Sequence, residues 1–195
     1  MEITTEQVKQ LRDATGVSIM QCKKALLEAE GNMDQAVILL RKKSGDIASK
    51  KEGRELKAGT VQAYIHAGGT VGSMVQLACE TDFVAKNEDF KKLAYDIAMH
   101  VAASNPDFLN TEDITEEDKE KVRAAFAKET AESDKPVEIK EKMLQGKIDS
   151  YFKEKVLREQ NFIKDPSVTI RNLEEQAVQK FGEKTKVVRF VRFSV

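Results

Sequence analysis

The chain has 195 residues, and its 32 lysines and arginines are balanced by 33 aspartates and glutamates, which gives a formal net charge of −1. This balance lacks the basic excess needed to neutralise nucleic-acid phosphates, so we expect no direct nucleic-acid partner. The first residues carry no signal-peptide pattern, and no stretch approaches the roughly 20 apolar residues that span a bilayer, so we expect no membrane association and a cytoplasmic location.

Three short helices are predicted within the first 45 residues. Each start has a Ser, Thr or Asn followed three residues later by a glutamine, a spacing typical of capped helices: Thr4, Ser18 and Asn32. Gly16 can supply the left-handed turn that ends the first of these helices. A bundle of this size buries too little apolar surface to be comfortably stable alone, so we expect it to rest on another surface.

The second predicted helix has one inner apolar stripe, which consists of Ile19, Cys22, Leu26 and Ala29. Met20 lies about 100° around the helix from this stripe, which makes it a candidate contact for a partner. The alternative, that Met20 only thickens a small core, fits the pattern equally well.

A β-sheet is predicted from two distant parts of the chain. Residues 44–59 are rich in Lys, Gly and Ser and predict a linker that is partly helical. Beyond it, apolar and polar residues alternate over 61–65 and 71–79, which predicts a β-hairpin. A β-rich run over 187–193 predicts a third strand of the same sheet.

Helices are predicted between these strands, and the fold class is therefore α+β. Asn87 can cap a helix with a wide apolar face that ends before Pro106. A last helix is predicted to begin near Thr169.

A highly charged segment lies between these two helices. In residues 112–142, 18 of 31 positions are charged and apolar residues are sparse. This composition predicts a protruding antiparallel helical hairpin that turns within residues 133–136. Its narrow seam would consist of Val122, Ala125, Phe126, Ile139 and Met143.

Signatures of catalysis are scarce. The glycine-rich segment 66–72 lacks the Lys-Ser/Thr ending of a phosphate loop and lies between two strands, so a hairpin turn explains it. His100 lies in an apolar helix, where we expect a packed structural residue. A nucleophilic pair of Cys79 and His66 is conceivable across the hairpin, but no third group is evident to orient it. We therefore expect no enzyme and no cofactor, and the cysteine spacing indicates neither a disulfide framework nor a metal site.

The most unusual segment is the polar connection that follows the second strand. It places the large aromatic Phe83 beside Asp82, between Thr81 and Val84. Because connecting segments run over the surface, an aromatic side chain here must either fold back into the core or point outward. The pattern alone leaves this choice open.

Five segments of the chain resemble the bacterial elongation factor Ts family: 11–16 (LRDATG), 20–26 (MQCKKAL), 81–85 (TDFVA), 97–103 (IAMHVAA) and 189–193 (RFVRF). The resemblance covers essentially the whole chain. It implies a ubiquitin-associated-like (UBA-like) three-helix domain over residues 1–52. It also implies an α+β core over residues 53–195, in which a three-stranded antiparallel sheet packs with helices and a helical hairpin is inserted at about 112–150.

The resemblance also implies a function. Members of this family are guanine-nucleotide exchange factors for the translational GTPase elongation factor Tu, and they catalyse no covalent reaction. By position in this sequence, Thr81, Asp82, Phe83 and Val84 would displace the element of the GTPase that orders its bound magnesium. Arg12, Ile19, Met20 and His66 would contact the same partner.

Two further expectations concern assembly and the competing functions. The chain is shorter than the common family form, which has two copies of the core, and a three-stranded sheet leaves open edges. We therefore expect a homodimer, in which Phe83 of one protomer and His66 of the other meet one GTPase. The alternatives to an exchange factor are a non-exchange interaction module with a UBA-like domain and a thiol enzyme that uses Cys79.

Overall fold

The computed structural model describes residues 3–131 and 136–195. In chain order its elements are α1 (Thr5–Thr15), α2 (Ile19–Glu28), α3 (Met33–Lys50), β1 (Ala58–Ile65), β2 (Val71–Cys79), α4 (Asp82–Ala85), α5 (Glu88–Ser104), α6 (Glu116–Ala131), α7 (Val137–Lys155), β3 (Asn161–Phe162), β4 (Asp165–Thr169), α8 (Ile170–Phe181) and β5 (Lys186–Ser194). Short 3-10 turns lie at Thr111–Asp113 and Leu157–Glu159. The α+β class is confirmed.

The three-helix bundle forms as its capping residues predict. The side chains of Thr4, Ser18 and Asn32 each accept a hydrogen bond from the backbone N–H three residues later. Gly16 ends α1 with a left-handed φ of 67°, a conformation that glycine adopts without steric cost. Leu11, Leu26 and Leu40 lie at the centre of the bundle and are almost completely buried.

The main sheet has the strand order β1-β2-β5 and is antiparallel throughout, as predicted. Helix α5 covers one face, where Val75, Leu77, Phe90 and Ile97 are fully buried. The cross-strand register places six apolar residues on the other face, all of them exposed: Val61, Ala63, Ile65, Met74, Val191 and Phe193. We call this set the open sheet face. Among the residues that the structure describes, no element covers it.

Helices α6 and α7 pack on each other as the predicted hairpin. Their seam contains Val122 and Phe126 from α6 and the buried Leu144, Ile148 and Phe152 from α7. Ile139, which the pattern assigns to this seam, is instead 45% exposed. Residues 133–135 of the turn predicted over 133–136 lie outside the described residues.

The bundle rests on α8, which explains how so small a unit is stabilised. Ser44 is buried in this contact and is hydrogen-bonded to Gln179 of α8. Arg41 donates two hydrogen bonds of 3.1 Å to Ser167, one to its carbonyl oxygen and one to its hydroxyl. Because α3 continues to Lys50, the first half of the predicted linker is helix packed on the core rather than a flexible connection.

The small β3–β4 ladder was not predicted, because its two strands are too short to carry a periodic pattern. It lies beside His100, whose side chain is fully buried, as expected for a structural residue. The Nε2 atom of His100 is 2.9 Å from Oε1 of Gln160, and its Nδ1 accepts a 3.3 Å hydrogen bond from the N–H of Ile163. Burial lowers the pKa of His100, so the ring is neutral near pH 7.

None of the helices in residues 3–131 and 136–195 is both long enough and apolar enough to cross a membrane.

Candidate functional site

Phe83 points outward from the short helix α4 and is 84% exposed. The two residues that follow it, Val84 and Ala85, are buried in the main core beneath the sheet. A single helical turn therefore presents one aromatic side chain to solvent while its inner side packs on the core. Phe83 therefore points outward rather than into the core, which the sequence pattern alone could not decide. Val84, in contrast, has no side chain available for a partner.

Asp82 and Thr81 flank Phe83 on the exposed side of this turn. The Asp82 carboxylate lies 3.5 Å from the Lys86 ammonium, and both side chains are largely exposed, so the pair contributes little to stability. Thr81 is the N-cap residue of α4, but its side chain does not cap the helix. The exposed surface of the site therefore consists of an aromatic ring, a carboxylate and a hydroxyl group.

Glu183 holds the backbone before α4 in place. Its carboxylate accepts hydrogen bonds from the N–H groups of Glu80 (3.1 Å) and Thr81 (2.9 Å) and from the Thr81 hydroxyl (2.6 Å). Sequence reasoning missed this residue, because about 100 positions separate the two segments. The one available signal was its place directly after Gly182, where a helix stop predicts a turn.

A second carboxylate makes the reciprocal connection. Glu80 accepts a 2.6 Å hydrogen bond from the N–H of Lys184 and a 3.1 Å hydrogen bond from Arg54. The Lys184 N–H and the nearby guanidinium group of Arg54 hold the pKa of the Glu80 carboxyl below its ordinary value. Segments 80–81 and 183–184 are thus joined in both directions.

The predicted contacts on the bundle are also exposed. Met20 is 82% exposed, so it belongs to the surface rather than to the bundle core. Ile19 was predicted to lie on the inner stripe of α2, but it is 58% exposed. The stripe is instead completed by Val17, which precedes the helix and is buried. Arg12 is exposed on α1.

Lys180 lies between the turn after α1 and the start of α5. Its ammonium lies 2.8 Å from the Asp89 carboxylate in the first turn of α5, directly after α4. Its aliphatic stem lies against Gly16, in the turn that leads to Ile19 and Met20. Lys180 therefore joins the turn that follows α1 to the first turn of α5. The hydrogen bond from Lys180 also lowers the pKa of Asp89.

Comparison with known proteins gives the family. A family model described as Elongation factor TS matches residues 2–195. The Elongation factor Ts of Herpetosiphon aurantiacus is 46% identical over 195 residues, which cover 100% of this chain and 98% of the relative. The Elongation factor Ts of Desulfotalea psychrophila is also 46% identical over 195 residues, which cover 100% of this chain and 99% of the relative. The Elongation factor Ts of Carboxydothermus hydrogenoformans is 45% identical over 193 residues, which cover 99% of this chain and 89% of the relative.

The chain belongs to the elongation factor Ts family. Membership in this family assigns it to the elongation step of translation. The match extends over the bundle, the sheet and the hairpin, so no region described above falls outside the elongation factor Ts family.

His66 lies far from the α4 site within this elongation factor Ts chain. It follows β1 at the hairpin turn, where its N–H bonds the carbonyl oxygen of Val71. Val71 begins β2 and Cys79 ends it eight residues later, about 26 Å away at 3.3 Å per residue. One chain therefore does not bring His66 and Phe83 together.

The same separation rules out the proposed Cys79 and His66 pair. Cys79 is fully buried, and burial raises the pKa of its thiol to about 11. A buried thiol with a raised pKa and no nearby histidine is a poor nucleophile. The structure therefore gives the thiol-enzyme alternative no support from a Cys79 and His66 pair.

Proposed function

We propose that this protein is a guanine-nucleotide exchange factor for elongation factor Tu, and that Phe83 acts as a wedge in that partner. The observation that carries the proposal is the exposed aromatic ring on a helical turn whose other side is fixed in the core. Burying a large exposed aromatic group in an apolar pocket of a partner is favourable and requires little ordering of the turn. Thr81 and Asp82 supply polar contacts beside it, while Val84 keeps the turn attached to the core.

Exchange follows from the charges of the bound nucleotide. The magnesium ion belongs to the GTPase, where it compensates the negative charge of the diphosphate. When the wedge displaces the element that orders the ion, the phosphate oxygens lose that compensation and GDP dissociates faster. By linkage, bound nucleotide weakens the binding of the factor by the same ratio, so incoming GTP releases it.

The bundle supplies the second contact with the GTPase. Met20 and Ile19 offer exposed apolar surface, and Arg12 offers a charge. Lys180 contacts both Gly16, in the turn before α2, and Asp89, in the first turn of α5, so a short chain of contacts joins the bundle to the segment that follows α4. We assign the bundle to binding and the α4 site to the exchange step.

The proposed homodimer rests on the open sheet face rather than on strand edges. The outer edge of β5 is already occupied at Val187, whose N–H donates to Glu174 and whose carbonyl oxygen accepts from Arg158. The open sheet face, in contrast, exposes six apolar residues, and two such faces can pack against each other at about 10 Å. A twofold dimer of this kind gives each GTPase Phe83 from one protomer and His66 from the other.

The exchange proposal is tested by loading elongation factor Tu with fluorescent GDP and measuring its release into excess unlabelled GDP. We expect substoichiometric amounts of this protein to accelerate the release, with no acceleration from buffer alone. A non-exchange interaction module, which the exposed Met20 surface also fits, would bind the GTPase without changing the release rate. That result would contradict the proposal.

Sedimentation tests the dimer. We expect about twice the chain mass of 21.9 kDa at micromolar concentration. Phe193→Glu, on the open sheet face, should shift the protein toward monomers. The matched control Val137→Glu changes an exposed apolar residue at the start of α7 and should leave the dimer intact. A monomer at tens of micromolar would refute the dimer.

Mixed dimers test the shared site. In a heterodimer of Phe83→Ala and His66→Ala chains, one site keeps both native residues and the other loses both. Exchange by the mixture should therefore exceed the mean of the two pure variants. Equality with that mean, after subunit mixing has been verified, would exclude shared sites.

A further inference from the structure

Glu183 bonds the backbone just before α4, but it is not among the residues expected to contact the GTPase. It is half-buried after α8 and has no aromatic or apolar surface to offer a partner. Its carboxylate accepts three hydrogen bonds, all from Glu80 and Thr81. We infer that Glu183 is a positioning residue for Phe83, an inference that rests on the exchange function proposed above.

The argument begins with the weakness of α4 on its own. A helix of four residues has too few internal hydrogen bonds to be stable without tertiary contacts. Its N-cap side chain makes no capping bond, because the Thr81 hydroxyl donates to Glu183 instead. Val84 and Ala85 fix the inner side of the turn in the core. The outer, N-terminal side is fixed by the carboxylate.

The second step concerns the direction of the Phe83 side chain. Phe83 is 84% exposed and is not part of the core cluster, so neighbouring side chains do not set its position. The backbone of α4 therefore determines where the ring points. Hydrogen bonds to a charged acceptor are shorter and stronger than neutral ones, and three of them converge on this one carboxylate.

The third step is the consequence for exchange. Interactions that hold a group in its productive geometry lower the barrier, and a misplacement of about 1 Å can cost about 100-fold in rate. Loss of the Glu183 carboxylate frees the N–H groups of Glu80 and Thr81 and lets the start of α4 move. We expect Glu183→Ala to reduce the stimulated GDP release about tenfold.

A graded series distinguishes hydrogen bonding from charge. Glu183→Gln keeps the length and a carbonyl acceptor for the Thr81 N–H, and its amide can donate to the Thr81 oxygen, so it should keep most of the activity. Glu183→Asp keeps the charge but is one methylene shorter, so its rate of GDP release should lie between those of the Gln and Ala variants. Glu175→Ala removes the same charge from α8, away from α4, and should match the wild type. If Glu183→Ala does not fold, the difference in GDP release between Glu183→Gln and Glu183→Asp still tests the inference.

The decisive measurement is a double-mutant cycle with Phe83. If Glu183 acts through Phe83, Glu183→Ala should slow exchange in the native background and should have no further effect in the Phe83→Ala background. Its effect on the melting temperature should be the same in both backgrounds. If Glu183→Ala reduced the rate of GDP release by the same factor in both backgrounds, the inference would be overturned.

Hydrogen exchange separates failure of this inference from failure of the exchange function. We expect Glu183→Ala to increase amide hydrogen exchange at Glu80 and Thr81, whose N–H groups donate to the Glu183 carboxylate, while the wild type and Glu175→Ala keep it slow. Unchanged protection at Glu80 and Thr81 overturns the positioning role even if the protein is an active exchange factor. If the wild type does not accelerate GDP release, the proposed function fails, and the protection data still decide whether Glu183 holds this segment.

Discussion

Phe83 and Phe90 are two phenylalanines seven residues apart with opposite environments. Phe83 is 84% exposed, whereas Phe90 is completely buried in the main core. A phenylalanine can bury about 200 Å². The covered sixth of Phe83 is therefore about 30 Å², which corresponds to about 0.8 kcal/mol. We expect Phe83→Ala to lower the free energy of unfolding by at most this amount.

The matched variant Phe90→Ala should behave in the opposite way. Truncating a fully buried phenylalanine costs about 3 to 5 kcal/mol, so the melting temperature should fall strongly. Exchange per folded molecule should stay near the wild-type rate, because Phe90 has no exposed surface to meet a partner. Phe83→Ala should instead lose most of the stimulated GDP release.

Urea unfolding and fluorescent GDP release on the same preparations provide the two readouts. The reasoning fails if Phe83→Ala destabilises the fold by several kcal/mol while exchange per folded molecule stays normal. That outcome would mean that the ring belongs to the core in solution.

Three further predictions concern other parts of the chain. Met20→Ala should weaken binding to elongation factor Tu more than it lowers the maximal exchange rate, and a titration that gives wild-type affinity would contradict its assigned role. Burial lowers the pKa of His100 in the folded state, so the unfolded chain binds more protons below about pH 6.5. The free energy of unfolding should therefore fall from pH 7 to pH 5, and it should fall less in His100→Gln. Urea titrations that give the same pH dependence for the two proteins would argue against this. The Cys79 thiol, with a pKa of about 11 and full burial, should react with iodoacetamide at pH 8 only after unfolding, and rapid labelling of the native protein would contradict the burial.

The α4 site shows how far sequence reasoning reached. The motif at residues 81–85 identified the segment, but periodicity could not assign Phe83 to the surface, because a connection has no repeating face. The resemblance gave Val84 the same role as its neighbours, whereas the structure places its side chain in the core. Glu183 escaped notice because a hydrogen bond between segments about 100 residues apart leaves no local pattern.

The sequence by itself determined the features that depend on neighbours a few residues away. The helix starts at Thr4, Asn87 and Thr169 follow from side chains that bond a backbone N–H two or three positions later. The β-hairpin follows from the alternation of apolar and polar residues over 61–65 and 71–79 on either side of one turn, and the left-handed end of α8 follows from Gly182.

Only the tertiary structure decided which apolar groups are covered. Ile19 has the spacing of a core residue but is exposed, and the buried Val17 belongs to the bundle core instead. Residues 44–50 belong to a segment whose composition predicts a partly helical linker, and they are helix packed on the core because α8 offers a surface for them. Burial depends on the element that lies opposite, and that element comes from a distant part of the chain.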